Sequence, residues 1–231
     1  MFTNGLIFPP SVRGRLVVLA LAVTAGFFFD QLAPARGDDL LAMPSPAVTM
    51  PLWEGDPPQF LKDAPSEIVE ERGSIANVSR PAISVFLPPK ERSTGMAIVV
   101  CPGGGYGKLD WKTHVVYAAK VFNAKGVAIV GLKYRTRPPF QGSNEQIQAL
   151  ALLDAQRAIR LVRHHAEQWN LNPQQIGIAG YSAGGNLAMN LAANFQPGDK
   201  AAADPVERQS GRPDFAIGLA TWHWRQEEWP L

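Results

Sequence analysis

The feature that most constrains this chain is a short apolar segment that runs through a glycine-flanked serine into a helix-like segment. Residues 176–179 read as a buried strand and residues 185–193 as a helix, with Gly180, Ser182 and Gly184 in the sharp turn between them. This pattern is typical of a nucleophile elbow, where the serine hydroxyl projects from the sheet edge and only very small residues fit on either side. The helix dipole would favour negative charge beside the serine. The sequence therefore predicts Ser182 as a catalytic nucleophile, and an ordinary turn serine is the alternative.

Length and composition limit the remaining possibilities. A chain of 231 residues, 46% of them hydrophobic, can bury one substantial core, so we expect a single domain. A net charge of +2 without a long basic patch argues against a nucleic-acid partner. The single cysteine, Cys101, excludes an internal disulfide and is expected to be a small buried residue rather than a reactive thiol. No histidine and carboxylate set has ligand spacing, so we expect neither a metal nor an organic cofactor.

The first residues resemble a targeting segment. Arg13 and Arg15 precede an uncharged, mostly apolar run at 16–29, and small residues at 33–35 suit a signal peptidase. We therefore expect a signal peptide at 1–35 and export to the periplasm or the extracellular space. A retained membrane anchor is the alternative, but the run is shorter than the roughly 18 to 20 apolar residues that span a bilayer, so no stable membrane insertion is expected after cleavage.

Residues 36–73 are rich in proline and acidic residues and show no sustained periodicity. They are predicted to form an irregular segment that follows the surface, attached to the domain by Trp53 and Phe60. The domain itself is then expected to cover residues 74–231.

A second glycine cluster follows a predicted central strand. The strand at 96–101 is apolar on both faces and leads directly into the glycine-rich run at 102–107. Glycines there allow backbone N–H groups to face a ligand. Together with the serine turn they predict an oxyanion loop, in which the N–H groups around Gly104 and Gly105 act with that of Ala183. A phosphate-binding loop is the alternative, but neither the lysine nor the helix spacing that it needs is present.

The next elements alternate between helix and strand. Residues 113–124 fit a helix, followed by a strand at 127–132, and the apolar side of the helix would comprise Val116, Ala119, Val121 and Phe122. His114 lies near the start of this helix, where a surface or helix-end histidine is the expected role and a catalytic one the alternative. Strands separated by helices in this rhythm predict a parallel sheet with right-handed crossovers.

A long helix is predicted after Ser143, which would cap its first turn. Its charged residues Asp154, Arg157 and Arg160 are expected to form structural ion pairs. His164 and His165 fall in its last turn, where solvated, positively charged side chains suit the helix dipole.

Five segments together resemble the α/β-hydrolase superfamily: CPGGGYGKLDW, GLKYR, DAQRAIRLVR, NPQQIGIAGYSAGGNLA and GRPDFAI. Within it they are similar to secreted esterases grouped with acetyl xylan esterases, feruloyl esterases and hormone-sensitive-lipase-like enzymes. The resemblance covers about residues 52–217 and implies a three-layer α/β sandwich around a mostly parallel sheet. Carried over by motif, the nucleophile falls on Ser182 and the oxyanion donors on Gly103, Gly104, Gly105, Tyr106 and Ala183.

The resemblance implies a serine carboxylic-ester hydrolase that works through an acyl-serine, removing acetyl or feruloyl groups from polysaccharide or small esters. One alternative is a serine peptidase of the prolyl-oligopeptidase kind, which shares the serine turn, although no propeller-like repeats precede it here. Another is a noncatalytic secreted binding protein.

The pattern departs from the superfamily after residue 217. In the superfamily the catalytic acid and base follow the serine, each on a loop after a later strand. In this sequence the only histidine after Ser182 is His223. Asp204 and Asp214 also follow the serine, but Asp214 directly precedes a predicted strand, so we assign neither as the acid. We expect the chain as written to be C-terminally truncated and at best a feeble catalyst, with His223 as the base in an unusual short ending as the alternative.

Overall fold

The computed structural model describes residues 43–221. The predicted signal peptide at 1–35 and His223 lie outside these residues. Within the described part, no helix combines the length and the apolar character needed to cross a membrane.

A central six-stranded sheet organises the molecule. In spatial order its strands are β1 (Val48–Pro51), β4 (Ala82–Phe86), β7 (Ala128–Lys133), β5 (Ala97–Cys101), β8 (Ile176–Tyr181) and β9 (Ala216–Leu219). The last four of these strands run parallel, whereas β1 and β4 are antiparallel to their neighbours. At the centre, Val99 is aligned with Val130 on one side and Ile178 on the other. The predicted mostly parallel sheet is confirmed.

Helices cover both faces of this sheet. On one face, α2 (Asn144–His164) and α3 (Ala183–Ala193) form the larger core together with alternate residues of β5, including Val99 and Cys101. On the other face, α1 (Tyr117–Asn123) forms a smaller core with Ile98 and Val100. Because successive side chains of a strand point to opposite faces, an apolar run such as β5 is buried on both sides. This is the three-layer α/β arrangement that the sequence predicted.

The long helix α2 begins as predicted. Ser143 accepts a hydrogen bond from the Gln146 N–H, and the Gln146 side chain accepts one from the Ser143 N–H. This capping box satisfies two donors that the first helical turn would otherwise leave without partners. The inner face of α2 is apolar at Ile147, Ala151 and Ala155, which are all buried.

The helix predicted at 113–124 differs in its first half. Residues Lys112–Val116 form a π-helical turn, and α1 begins only at Tyr117. A π turn adds a residue to the hydrogen-bonded ring and so rotates the faces of the helix that follows. The buried residues are therefore Val115 and Ala119, whereas Val121 and Phe122 are exposed, contrary to the apolar face expected from the sequence.

The segment expected to be irregular at 36–73 contains strands where the structure describes it. β1 pairs with β4 at the sheet edge, and β2 (Ile68–Val69) pairs with β3 (Ile75–Ala76), which in turn pairs with β6 (Lys108–Leu109). β2 and β3 have only two residues each, too few to show a two-residue periodicity. β1 does alternate between half-buried and exposed side chains, but over four residues only, which is the shortest run that the pattern can indicate. Trp53 does pack against the larger core, as expected.

Ion pairs attach α2 to the rest of the domain, as the sequence predicted for its charged residues. Asp154 pairs with Arg135, which follows β7, and both side chains are fully buried. Arg157 pairs with Asp204 and Glu207, Arg160 also pairs with Glu207, and Arg163 pairs with Asp214. The segment between α3 and β9 has no regular secondary structure. These ion pairs hold it against the C-terminal half of α2.

The two last-turn histidines are only partly solvated. His164 is exposed, but His165 is half-buried and stacks on Trp169 with ring centroids 4.9 Å apart.

Candidate active site

Ser182 stands alone in the turn between β8 and α3, as predicted. Its backbone has φ 54° and ψ −120°, a conformation that costs on the order of 1–3 kcal/mol for a residue with a side chain. The backbone on either side holds it there: the Ser182 N–H donates to Leu219 O at 2.9 Å, and its carbonyl accepts from Asn186 N–H at 2.9 Å. The hydroxyl does not cap α3 and therefore stays available for other partners.

The glycines on either side of Ser182 are required by close backbone contacts. A Cβ at Gly180 would lie 2.0 Å from the Gly184 carbonyl oxygen, and a Cβ at Gly184 would lie 2.0 Å from that of Cys101. Real Cβ atoms do not approach backbone oxygens so closely. The turn can therefore pass beneath the end of β5 only with glycine at both positions.

Replacing Gly184 by alanine is expected to lower the free energy of unfolding by about 2–3 kcal/mol, because the added methyl meets backbone that cannot rotate away. Urea denaturation measures the loss. Gly55→Ala is the matched control: a Cβ there meets no atom within 4 Å, so its effect should stay within about 0.5 kcal/mol. Equal effects of the two substitutions would contradict this account of the turn.

The predicted oxyanion loop lies directly beside this turn. A Cβ at Gly103 would lie 2.7 Å from the Tyr181 carbonyl oxygen and 3.3 Å from the Ser182 Cβ. Gly104, Gly105 and Tyr106 follow with φ of 134°, 66° and 59°, so the backbone turns sharply beside the serine. Among the described residues, the N–H groups of Gly104, Gly105 and Ala183 donate to no protein acceptor. N–H groups of this kind can receive a negatively charged oxygen.

The loop is fixed on several sides by uncharged hydrogen bonds. The Tyr134 hydroxyl donates to Pro102 O at 2.6 Å, and the Arg137 N–H donates to Tyr106 O at 2.8 Å. The Tyr106 hydroxyl donates to Asn186 Oδ1 on α3 at 2.9 Å. Burial raises the pKa of both phenols, so they remain donors at any physiological pH. The loop is therefore held in place before any ligand arrives.

Gly103 differs from its predicted role as an oxyanion donor. Its N–H donates to His114 Nδ1 at 3.1 Å and is therefore already engaged. The side chain of Tyr106 is buried, and its hydroxyl bonds to Asn186 on α3. For Gly104, Gly105, Tyr106 and Ala183 the role of oxyanion donor stays a prediction.

His114 is the residue of this site that the sequence did not assign to it. Its half-buried ring accepts the Gly103 N–H and stacks on Tyr181, the neighbour of Ser182, with ring centroids 4.7 Å apart and planes inclined by 27°. The only sequence signal was its closeness to the glycine loop, and the π-helical turn in which it lies is not visible in the residue pattern.

Asp204 and Asp214 lie away from the serine. Asp214 accepts from the Ile176 N–H at the start of β8, whereas Ser182 follows the end of that strand. Asp204 pairs with Arg157 on α2. Both carboxylates therefore have structural partners, in agreement with leaving them out of the site.

Cys101 ends β5 beneath the glycine loop and is fully buried. Burial raises the pKa of its thiol well above the usual range, so it remains neutral. It acts as a small core residue, as the sequence predicted.

Comparisons with known proteins give consistent matches. The family model described as BD-FAE matches residues 83–210. An acetylxylan esterase of Xylanibacter ruminicola is 39% identical over 116 residues, which is 50% of this chain and 22% of that protein. Carboxylesterase NlhH of Mycobacterium tuberculosis is 29% identical over 138 residues, which is 59% of this chain and 40% of that protein.

A solved structure is also similar to this fold. The crystal structure of an acetyl ester-xyloside bifunctional hydrolase from Caldicellulosiruptor lactoaceticus superposes with a TM-score of 0.60 at 32% identity. The match covers 75% of this chain and 57% of that one. The chain thus spans less than two thirds of the length of each of these relatives.

Proposed function

The chain belongs to the BD-FAE family of α/β-hydrolase esterases, and from this membership we propose that it is a serine carboxylic-ester hydrolase. The observation that carries the proposal is that the turn at Ser182 and the glycine loop lie side by side. A serine held at positive φ lies beside a glycine loop whose N–H groups at Gly104 and Gly105 have no acceptor within the described residues. That pairing of a presented hydroxyl with unengaged donors suits acyl transfer.

In the proposed reaction, Ser182 Oγ attacks the ester carbonyl carbon and loses its proton to a general base. The carbonyl oxygen becomes an oxyanion that accepts hydrogen bonds from the N–H groups of Gly104, Gly105 and Ala183. Collapse of this intermediate breaks the bond to the alcohol, which leaves with a proton, and forms the acyl-serine. Water then attacks the acyl carbon and releases the acid and free Ser182. The reaction requires no metal or organic cofactor.

None of the three histidines within residues 43–221 is assigned as that base. His164 and His165 lie in and just after the last turn of α2, the helix that leads back to the start of β8, so they are far from the serine turn. His114 has Nδ1 engaged with Gly103. His223, the alternative that the sequence raised, lies outside the described residues.

The proposed substrates are acetyl or feruloyl esters of plant-type polysaccharides, or small esters of the same acids. The support is that one similar protein is named an acetylxylan esterase and another an acetyl ester-xyloside hydrolase. The proposal includes export of the protein, which suits a polysaccharide substrate. Its support is the signal peptide predicted at 1–35.

Hydrolysis rates on acetylated xylan, an aryl acetate, an aryl ferulate and short peptide anilides test this proposal in the full-length protein. We expect turnover of the esters and none of the peptides. Peptide cleavage without ester cleavage would favour the serine-peptidase alternative. Xylan binding without any hydrolysis would favour the noncatalytic binding protein.

A further inference from the structure

His114 takes part in a closed ring of three hydrogen bonds that joins Gly103, at the start of the glycine loop, to the segment that follows the loop. The Gly103 N–H donates to His114 Nδ1 at 3.1 Å, and the Asp110 N–H donates back to Gly103 O at 2.9 Å. The His114 N–H completes the ring by donating to Asp110 O at 3.0 Å. Both polar atoms of the Gly103 backbone are thus held by the segment that carries the imidazole.

One of these three hydrogen bonds, from the Gly103 N–H to His114 Nδ1, depends on the charge of the imidazole. A ring nitrogen accepts a hydrogen bond only in the neutral form, so acceptance at Nδ1 places the single ring proton on Nε2. A second proton would occupy Nδ1 and point at the Gly103 N–H, which is also a donor. The bond cannot survive that change.

The bond lies next to the serine. A Cβ at Gly103 would be 3.3 Å from His114 Cε1 and also 3.3 Å from Ser182 Cβ, so the glycine lies between the imidazole and the serine. The peptide unit that follows Gly103 supplies the Gly104 N–H. A rotation of the Gly103 backbone would therefore turn away a donor of the proposed oxyanion site.

We propose that His114 is a positioning residue: its neutral imidazole fixes the Gly103 backbone beside Ser182, and its protonation releases the glycine loop. The consequence for catalysis rests on the proposed esterase function, whereas the link between His114 protonation and the Gly103 backbone does not.

The surroundings of His114 favour the neutral form. Burial lowers the pKa of the imidazole, and the Asp110 carboxylate in the same segment opposes this shift only in part. The Tyr181 phenol is the titratable group that faces it from β8. From β5 and β7, the residues that pack on this helical segment are apolar: Ile98, Val100 and Ile129.

The sign of the pH effect follows from that shift. Because the pKa of His114 is lower in the folded than in the unfolded protein, the unfolded state binds more protons between the two values. The stabilisation is complete above the ordinary histidine pKa and is lost as the pH falls through the lowered one. Loop order and activity should therefore both decline on the acid side.

The direct test is a titration followed by NMR on the full-length protein with isotope-labelled histidine and glycine. We expect the nitrogen shifts of His114 to report a proton on Nε2 and an acceptor at Nδ1. We also expect the Gly103 amide signal to move with the same midpoint as the imidazole. A proton on Nδ1, or a Gly103 amide that ignores the titration, would overturn the proposal.

Kinetics of matched variants provide the second readout. His114→Ala is expected to lower kcat for an aryl acetate about 10- to 100-fold with little change in KM, because a misplaced donor costs mainly in the transition state. In His114→Asn, Oδ1 can accept in place of Nδ1 and does not titrate, so most activity should return. The acid limb of its pH profile should also be less steep than that of the wild type. His164→Ala, which removes an exposed histidine far from the loop, is the control.

The two readouts separate this proposal from the proposed function. Coupled titration of His114 and Gly103 without any esterase activity would support the positioning role and reject the esterase. Esterase activity in which His114→Asn behaves like His114→Ala and keeps the full acid limb would reject the positioning role and leave the esterase standing.

Discussion

In a form of the protein that supplies the general base, replacing Ser182 by alanine is expected to lower kcat/KM for an aryl acetate by about 10⁴- to 10⁶-fold, to the residual rate that the glycine loop and substrate binding provide. Without Oγ no acyl-enzyme can form, whereas the donors at Gly104 and Gly105 remain. The fold should be unchanged, because the hydroxyl does not cap α3 and alanine keeps the strained backbone of the turn. Steady-state kinetics on the full-length protein, with the melting temperature alongside, measure both effects.

Ser93→Ala is the matched control, since Ser93 precedes β5 at the other end of the sheet and should not affect turnover. Reaction with a fluorophosphonate, followed by peptide mass spectrometry, locates the modified residue. Full activity in Ser182→Ala, or labelling of a different serine, would contradict the assignment of the nucleophile.

Replacing Asp154 by asparagine is expected to destabilise the protein by about 3–5 kcal/mol, because it leaves the Arg135 guanidinium buried without a counter-charge. Neither side chain is exposed. The carboxylate accepts from Arg135 Nη2 at 2.7 Å and from the Arg135 backbone N–H at 2.9 Å, and asparagine can replace neither the charge nor the full set of acceptors. Burial raises the pKa of Asp154 to about 6, against the opposing effect of Arg135.

Asp56→Asn is the matched control for this loss. Asp56 pairs with Arg80 at the same 2.7 Å, but both side chains are more than half exposed, so its removal should cost at most about 1 kcal/mol. The double variant Arg135→Met with Asp154→Leu should be less destabilised than Asp154→Asn, because no charge remains buried. Chemical denaturation that gave Asp154→Asn and Asp56→Asn the same small cost would show that the buried charge is compensated by other groups.

Much of the central sheet could be predicted because its signals are local. The residues of β5 and β8 are continuous apolar runs, and only a central strand covered on both faces requires that pattern. Gly180 and Gly184 were informative because they flank Ser182 in one short pattern, although the contact that a Cβ at Gly184 would make is with the distant Cys101 carbonyl oxygen. Ser143 marked the start of α2 through a capping pattern contained within four residues.

The parts that could not be predicted depend on contacts between distant residues. Asp154 was expected to form an ion pair, but its partner Arg135 lies in the segment after β7 and both are fully buried, which no pattern within α2 indicates. His114 was interpreted as a surface or helix-end residue, but it contacts Gly103 and Tyr181, which lie in other parts of the chain, and the π turn that carries it has no signal in the residue pattern. β1 becomes a strand through its pairing with β4 rather than through its own residues.

The row of arginines on α2 has a mechanical consequence for the serine turn. Arg163 contacts Asp214 and the carbonyl of Arg212, which fixes the point at which β9 begins. β9 in turn supplies Leu219 O, the acceptor for the Ser182 N–H. We therefore expect a rotation of α2 to shift β9 and, through Leu219, the backbone of Ser182, whereas insertions at the exposed residues around Lys200 should leave both in place. The length of the segment between α3 and β9 can therefore vary without moving Ser182. The position of α2 cannot.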